Sequence, residues 1–164
     1  MDQKTYDEMR RRLLEEPYRV IDFLPRQVPQ ESGGNYFAVE RYLTEHPRID
    51  GLYSRFAGIV MKLNCYYGMA LYDPRSDAWS DDPAPEELAR QVEACAATGP
   101  DRYLQIIFPT EDALLTLDGD DLYMTLYHAR GQLLETAAQL AAAAGLFLRP
   151  GVMEEPLRWH SNPI

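Results

Sequence analysis

The sequence predicts an α+β fold, an antiparallel or mixed sheet covered by helices, and three observations lead to this class. Apolar residues recur at three- and four-residue intervals in some segments and alternate in others, as helices and strands require. Residues 113–126 hold two alternating segments around an acidic, glycine-containing turn, which indicates a hairpin. A hairpin, a helix and a strand follow one another over residues 112–149, an order compatible with half of a ferredoxin-like unit in the C-terminal half.

The length of 164 residues predicts one globular domain over residues 1–164, with residues 150–164 as a loose tail. A chain of this size buries about 70% of the surface that its unfolded form exposes. The hydrophobic core therefore suffices for folding without disulfides or a structural metal, and no sequence motif predicts a cofactor.

The N-terminal region predicts a helix, a strand and a loop in that order. Residues 2–16 carry apolar side chains at helical spacing and end before a proline. Residues 18–24 are rich in β-branched and aromatic side chains, which favours a strand. Residues 27–35 contain proline and two glycines and are predicted to form a loop.

The middle of the chain predicts further helices and a strand. Residues 36–44 fit one helical face imperfectly, so we expect a helix, although their aromatic and β-branched content also suits a strand. Residues 48–64 predict a clear helix, and 66–72 are short and apolar enough for a buried strand with a return strand around Trp79. In the 48–64 helix the residues expected on the buried side are Phe56, Ile59 and Leu63.

The C-terminal third begins with a helix at 84–97, preceded by acidic residues and prolines that favour a helix start. The type of segment 103–108 stays open between helix and strand. A helix over 130–144 is expected to end at Gly145 in a left-handed cap, which directs residues 146–148 into a last strand.

The charge balance restricts the classes of partner. The chain has 26 acidic and 16 basic side chains and a net charge of −10, so its field repels nucleic acids and anionic membranes. The charged N-terminus and the lack of an apolar run of about 18 residues predict a cytoplasmic protein rather than a secreted or membrane one. Acidic residues flank Arg10, Arg11 and Arg12, which are expected to form a solvated helix face.

The two cysteines, Cys65 and Cys95, lie in apolar segments and are predicted to be buried, reduced thiols, with a single disulfide between them as the alternative. Pairing of Cys65 with His128 would resemble a nucleophile and its base, but no local motif supports it. A buried thiol and a loop imidazole are the preferred interpretation.

Two polar segments are candidate ligand sites. Asp118, Asp120 and Asp121 form the densest set of carboxylates, yet their spacing differs from that of a calcium-binding loop. Aspartate and glycine also suit the positive φ angles of a tight hairpin, so a turn without metal is expected. Residues 32–35 could offer N–H groups to a phosphate, but they lack the lysine of a phosphate-binding loop and are predicted to be a connector.

Eleven tyrosines are more than a core of this size requires, because each phenol needs a polar partner or water. Some therefore belong to a surface that either binds a partner or is covered by a helix. The tyrosines in or beside predicted core elements are Tyr36, Tyr42, Tyr66, Tyr67, Tyr123 and Tyr127, and in the hairpin Tyr123 and Tyr127 point opposite to Met124 and Leu126. The predicted binding residues are four of these tyrosines and the acids of the hairpin turn: Tyr66, Tyr67, Tyr123, Tyr127, Asp118, Asp120 and Asp121.

These features predict a non-enzymatic, protein-binding module of the adaptor or toxin-neutralising type, whose partner is a basic protein. The acidic segments 73–87 and 111–121 would steer that partner. The alternative is a small-molecule-binding domain or an enzyme with a tyrosine-lined pocket near Cys65 and Tyr66. A deep concave site would favour the alternative, and a flat acidic aromatic face would favour protein binding.

Overall fold

The computed structural model describes residues 1–97, 101–119 and 121–151, and its elements confirm the α+β class. The helices are α1 (Gln3–Leu13), α2 (Tyr36–Glu45), α3 (Leu52–Asn64), α4 (Pro85–Ala94) and α5 (Gly131–Ala143). The strands are β1 (Tyr18–Asp22), β2 (Ala70–Asp73), β3 (Ala78–Asp81), β4 (Tyr103–Phe108), β5 (Ala113–Asp118), β6 (Tyr123–Tyr127) and β7 (Phe147–Pro150). Within these ranges no helix has the length and apolar character needed to cross a membrane.

The strands form one sheet in the order β3-β2-β4-β5-β6-β1-β7, and neighbouring strands pair in the antiparallel sense. Because β1 lies between β6 and β7, these two strands run parallel to each other and are joined by α5. This split β-α-β arrangement is the one that ferredoxin-like folds use. β3, α4 and β4 repeat it around β2, so the sheet contains two such units joined through β5.

The main core lies between one sheet face and helices α3, α4 and α5. Phe56, Ile59 and Leu63 are buried on α3, which confirms the predicted inner side of this helix. They pack against inward side chains of the central strands, which are Leu104, Ile106, Phe108, Leu115, Leu117, Met124 and Leu126.

Helix α1 covers only part of the opposite sheet face. Its Tyr6 and Leu13 are buried with side chains of β2, β3, β4 and the start of β5, namely Ala70, Tyr72, Trp79, Ile107 and Leu114. Arg10 does not belong to a solvated face as predicted, because its guanidinium lies over the rings of Tyr72 and Trp79. Among the residues that the structure describes, no helix covers the face formed by the end of β5 and by β6, β1 and β7.

The two edge strands of the sheet, β3 and β7, differ in how their outward backbone groups are satisfied. At β3, the side-chain amide of Gln3 donates from Nε2 to the Trp79 carbonyl at 3.0 Å and accepts from the Trp79 N–H at 2.5 Å. At β7, the Gly151 N–H donates to the Tyr18 carbonyl of β1 at 3.0 Å. Because the hydrogen-bonding direction alternates along an antiparallel strand, the neighbouring Pro150 directs its backbone groups away from β1. Pro150 has no N–H to offer there.

Several local predictions are resolved by the structure. Residues 36–44 are helical, as α2, and 103–108 form strand β4. The helix predicted over 48–64 begins only at Leu52, because Gly51 adopts a left-handed conformation with φ 61° before it. The predicted left-handed cap at Gly145 is confirmed by its φ of 72°.

The prediction of a buried strand over 66–72 was wrong in its first half. The strand begins at Ala70, and the chain turns between the end of α3 and that point, which leaves the Tyr66 side chain 72% exposed. Cys65, the C-terminal cap of α3, is also exposed rather than buried. Cys95 is buried and unpaired, as predicted.

Gly119, in the hairpin turn, has a different role from the one predicted. Its φ is not positive. A Cβ at Gly119 would instead lie 2.5 Å from the Arg102 carbonyl oxygen. The turn therefore requires glycine because another backbone segment approaches it closely.

Candidate functional site

The uncovered part of the sheet, called the open face below, is concave and polar. Side chains alternate along a strand, so Tyr123, Thr125 and Tyr127 point to this side while Met124 and Leu126 enter the core. Together with side chains of β5, β1, β7 and the following loops they enclose a cleft of about 590 Å³, called the tyrosine cleft. Its lining consists of Tyr18, Val20, Asp22, Gln27, Tyr36, Thr116, Asp118, Asp121, Tyr123, Thr125, Tyr127 and Arg149.

Tyr123 and Tyr127 of this cleft stay protonated near neutral pH. Tyr18 and Tyr127 are cross-strand partners with ring centroids 5.5 Å apart. Burial, with Asp121 and Asp118 as further causes, raises the pKa of Tyr123 to about 12. Burial also raises the pKa of Tyr127. These phenols therefore offer neutral hydroxyls and electron-rich ring faces.

Tyr36 reaches the cleft from the first turn of α2. Its hydroxyl donates to Glu40 Oε2 at 2.7 Å, within the same helix. Burial raises the pKa of Tyr36, and the bond to Glu40 acts in the same direction. The N-terminus of α2 thus contributes one wall of a site whose floor is the sheet.

An ion pair between β1 and β7 crosses the floor of the cleft. Arg149 donates to Asp22 Oδ2 from Nε at 3.2 Å and from Nη2 at 2.7 Å. The Leu24 N–H donates to the other carboxylate oxygen at 3.3 Å. Asp22 is only 6% exposed, so this pair is a fixed part of the structure rather than a mobile surface contact.

The formal charge of the tyrosine cleft is negative. Its lining holds three carboxylates, those of Asp22, Asp118 and Asp121, against the single guanidinium of Arg149. Asp118 is exposed at the end of β5. Among the residues that the structure describes, no group of three or more histidine, cysteine or acidic side chains could hold a metal ion.

A second cavity of about 620 Å³, called the α2 pocket, adjoins the tyrosine cleft. The two cavities share Asp22, Gln27, Tyr36 and Arg149. The α2 pocket takes its apolar wall from the loop after β1 and from α2, through Leu24, Val28, Pro29, Phe37 and Ala38.

The structure brings together four of the seven predicted binding residues. Tyr123, Tyr127, Asp118 and Asp121 all line the tyrosine cleft. Asp120 lies outside the described residues. This grouping follows from the hairpin, since its turn and the outward side chains of β6 share one side of the sheet.

The other two predicted residues lie elsewhere. Tyr66 is exposed beyond α3. Tyr67 packs edge-on against Phe108 of the helical core at 6.3 Å between centroids, and its hydroxyl lies 3.4 Å from Thr136 Oγ1. Neither lines the tyrosine cleft or the α2 pocket, and the same is true of Cys65.

The cleft also contains residues that sequence reasoning did not select. Tyr18 and Asp22 alternate with core residue Ile21 in β1, and this pattern was readable as one side of a strand. Tyr36 belongs to the tyrosines expected in or beside core elements but was not among the predicted binding residues. Arg149 carried no such signal, because only the tertiary fold places β7 beside β1.

The other candidate sites are occupied by local contacts. The Cys65 thiol lies 3.6 Å from the Met61 carbonyl, and His128 Nδ1 lies 2.8 Å from the Asp112 carbonyl. Burial raises the pKa of Cys95 to about 12, which makes this thiol a poor nucleophile. In the 32–35 loop, Ser32 Oγ accepts from the Gly34 N–H at 3.2 Å, as in an ordinary turn.

In comparisons with known proteins, no family model matches the chain, and no curated protein or solved structure is significantly similar to it.

Proposed function

We propose that the open face binds a basic segment of a partner protein, and that the protein acts as a non-enzymatic adaptor or toxin-neutralising module. The observation that carries this proposal is the tyrosine cleft itself, a concave site that combines four tyrosines with an excess of carboxylates. Lysine and arginine side chains gain from both features, through charge-assisted hydrogen bonds and through contact with aromatic rings.

The covered half of the same sheet face contains an internal precedent for this recognition. Arg10 lies 5.0 Å from the ring centroid of Tyr72 and 5.6 Å from that of Trp79. Its guanidinium also contacts Asp7 at 3.1 Å and Gln105 at 3.1 Å. In the open face the corresponding arginine would come from the partner, because Arg149 is already bound to Asp22.

The openness of the site favours a protein segment over a small molecule. The tyrosine cleft is concave rather than flat, which is the shape expected for the small-molecule alternative, but sites for small molecules also bury most of the ligand surface. Here Asp118, Tyr123 and Gln27 are exposed at the rim of the tyrosine cleft. The α2 pocket adjoins the cleft and extends the concave surface. The free thiols of Cys65 and Cys95 support a reducing compartment, and we place the interaction in the cytoplasm.

The test measures binding of fluorescently labelled dodecapeptides by polarisation. An arginine-containing peptide, (Arg-Ser-Ser-Ser)3, should bind, and (Glu-Ser-Ser-Ser)3 should not. The double substitution Asp118→Asn/Asp121→Asn should weaken binding about tenfold, and the association rate of the native protein should fall as salt rises.

A matched control removes the same charge from the other side of the molecule. Glu86→Gln/Glu93→Gln acts on exposed positions of α4, which packs against the opposite sheet face. It should leave the affinity within about twofold. Equal losses of peptide affinity in the two double variants would mean that net charge alone attracts the peptide, and the proposed site would be rejected. Full competition by millimolar free arginine would favour a small cationic ligand instead.

A further inference from the structure

We infer that the partner segment is amphipathic: it places a lysine or arginine in the tyrosine cleft and an apolar side chain in the neighbouring α2 pocket. This inference rests on the proposed function, since it concerns the same bound segment. It specifies a second side chain that recognition requires and that charge alone does not predict.

The tyrosine cleft and the α2 pocket adjoin, and the two together are called the groove. Tyr36 and the Asp22–Arg149 pair belong to both linings, so they separate two subsites without closing either one. A segment lying in the groove therefore meets both subsites within a short stretch of its sequence. In an extended segment, residues i and i+2 point to the same side about 7 Å apart, which suits two adjoining subsites.

The chemistry of the lining changes between the subsites. In the α2 pocket, Arg26 and Arg149 stand against the single carboxylate of Asp22, so the formal charge is positive. A second cationic side chain is therefore disfavoured there. The apolar wall contains Leu24, and Phe37 at its edge is 78% exposed.

Phe37 is the residue on which the apolar subsite depends most. It lies in the first turn of α2, next to Tyr36, whose ring centroid is 5.5 Å away. A partner side chain seated beside Phe37 would remove apolar surface of both molecules from water. Because Phe37 has little contact with the core, its replacement should not affect folding.

The experiment compares three labelled peptides, (Arg-Ser-Leu-Ser)3, (Arg-Ser-Ser-Ser)3 and (Glu-Ser-Leu-Ser)3, in polarisation titrations. The native protein should bind the arginine–leucine peptide at least fivefold more tightly than the arginine–serine peptide. Phe37→Ala should reduce this ratio to about one without changing the affinity for the arginine–serine peptide. Val39→Ala, an exposed position of the same helix outside the pocket lining, should preserve the ratio.

Each result separates the inference from the function on which it rests. Equal binding of the two arginine peptides would overturn the amphipathic segment and leave the basic-segment proposal standing. Failure of both arginine peptides to bind would overturn the proposed function itself. Equal binding of the arginine–leucine and glutamate–leucine peptides, or a dimer in sedimentation experiments that Phe37→Ala abolishes, would assign the groove to another occupant.

Discussion

The covered half of this sheet face and the open face contain the same residue types but have different roles. In the covered half, Trp79 packs between Tyr6 and Tyr72, with ring centroids 5.5 and 5.2 Å away. In the open face, Tyr18, Tyr123 and Tyr127 lie beside carboxylates, and no helix of the described part of the chain covers them. The comparison shows that aromatic and acidic residues in strands do not by themselves distinguish a core from a binding surface.

The aromatic side chains of the covered half find partners for their polar ends within the chain, as Tyr36 of the tyrosine cleft does with Glu40. Three of them meet a carboxylate. Tyr6 donates to Asp81 and Tyr72 to Asp77. The indole nitrogen of Trp79 donates to Asp7 at 3.0 Å. α1 and the β2–β3 hairpin thus complete the covered half within the protein.

The comparison predicts its largest effect at Trp79. Trp79→Ala should lower the free energy of unfolding by about 3 to 5 kcal/mol, because the ring is 5% exposed and its removal leaves a cavity under α1. Tyr123→Ala, in the open face, should cost about 1 kcal/mol or less. Urea denaturation measures both, and similar losses for the two variants would contradict the division into a structural and a binding half.

The next effect concerns the one buried pair of the open face. Asp22→Asn should cost about 2 to 3 kcal/mol, because it leaves the Arg149 guanidinium poorly compensated in a largely buried position. Asp118→Asn, at the exposed end of β5, should change stability by less than about 0.5 kcal/mol. Thermal and urea unfolding of the two variants test this, and a stable Asp22→Asn protein would show that the pair is dispensable for the fold.

A smaller effect comes from single hydroxyl groups. Tyr6→Phe removes the hydrogen bond to Asp81 and should cost about 1 kcal/mol. Tyr123→Phe should leave stability unchanged within about 0.5 kcal/mol. If Tyr123→Phe is as destabilising as Tyr6→Phe in matched urea titrations, then Tyr123 has a structural partner comparable to Asp81.

The pH dependence sharpens the same contrast. Burial and the bond to Asp81 raise the pKa of Tyr6 to about 12, whereas an unfolded tyrosine titrates near 10. Between these pKa values the unfolded chain has lost a proton that the folded protein keeps. The contribution of Tyr6 to the free energy of unfolding is therefore fully present below pH 10 and is lost as the pH rises towards 12. Tyr6→Phe should make this fall shallower. Parallel stability curves for the variant and the native protein between pH 9 and 12 would contradict the prediction.

The sequence predicted features that depend on neighbours along the chain. The buried side of α3, the β5–β6 hairpin and the cap at Gly145 all follow from local periodicity or local backbone conformation. The same alternation predicted that Tyr123 and Tyr127 share a side of their strand, opposite to the core.

Features that depend on tertiary pairing were not predictable in this way. Asp22 and Arg149 are 127 residues apart in the sequence, and only the insertion of β1 between β6 and β7 brings them together. Arg10 looked like part of a solvated cluster because no local signal shows that Tyr72 and Trp79 lie beneath it. The exposure of Cys65 depends on the exact residue at which α3 ends, which periodicity does not define.

The pairing of Gln3 with the backbone of Trp79 has a consequence for self-association. An outer strand with free N–H and C=O groups is a template on which another chain can add a strand and start aggregation. At β3 the Gln3 amide occupies the N–H and the C=O of Trp79, and at β7 Pro150 has no N–H to offer. The protein can therefore present a concave binding face without self-associating through strand addition at its edges. Gln3→Ala would uncover the β3 edge, and the first sign should be slow, concentration-dependent fibre or oligomer formation by a chain that still folds.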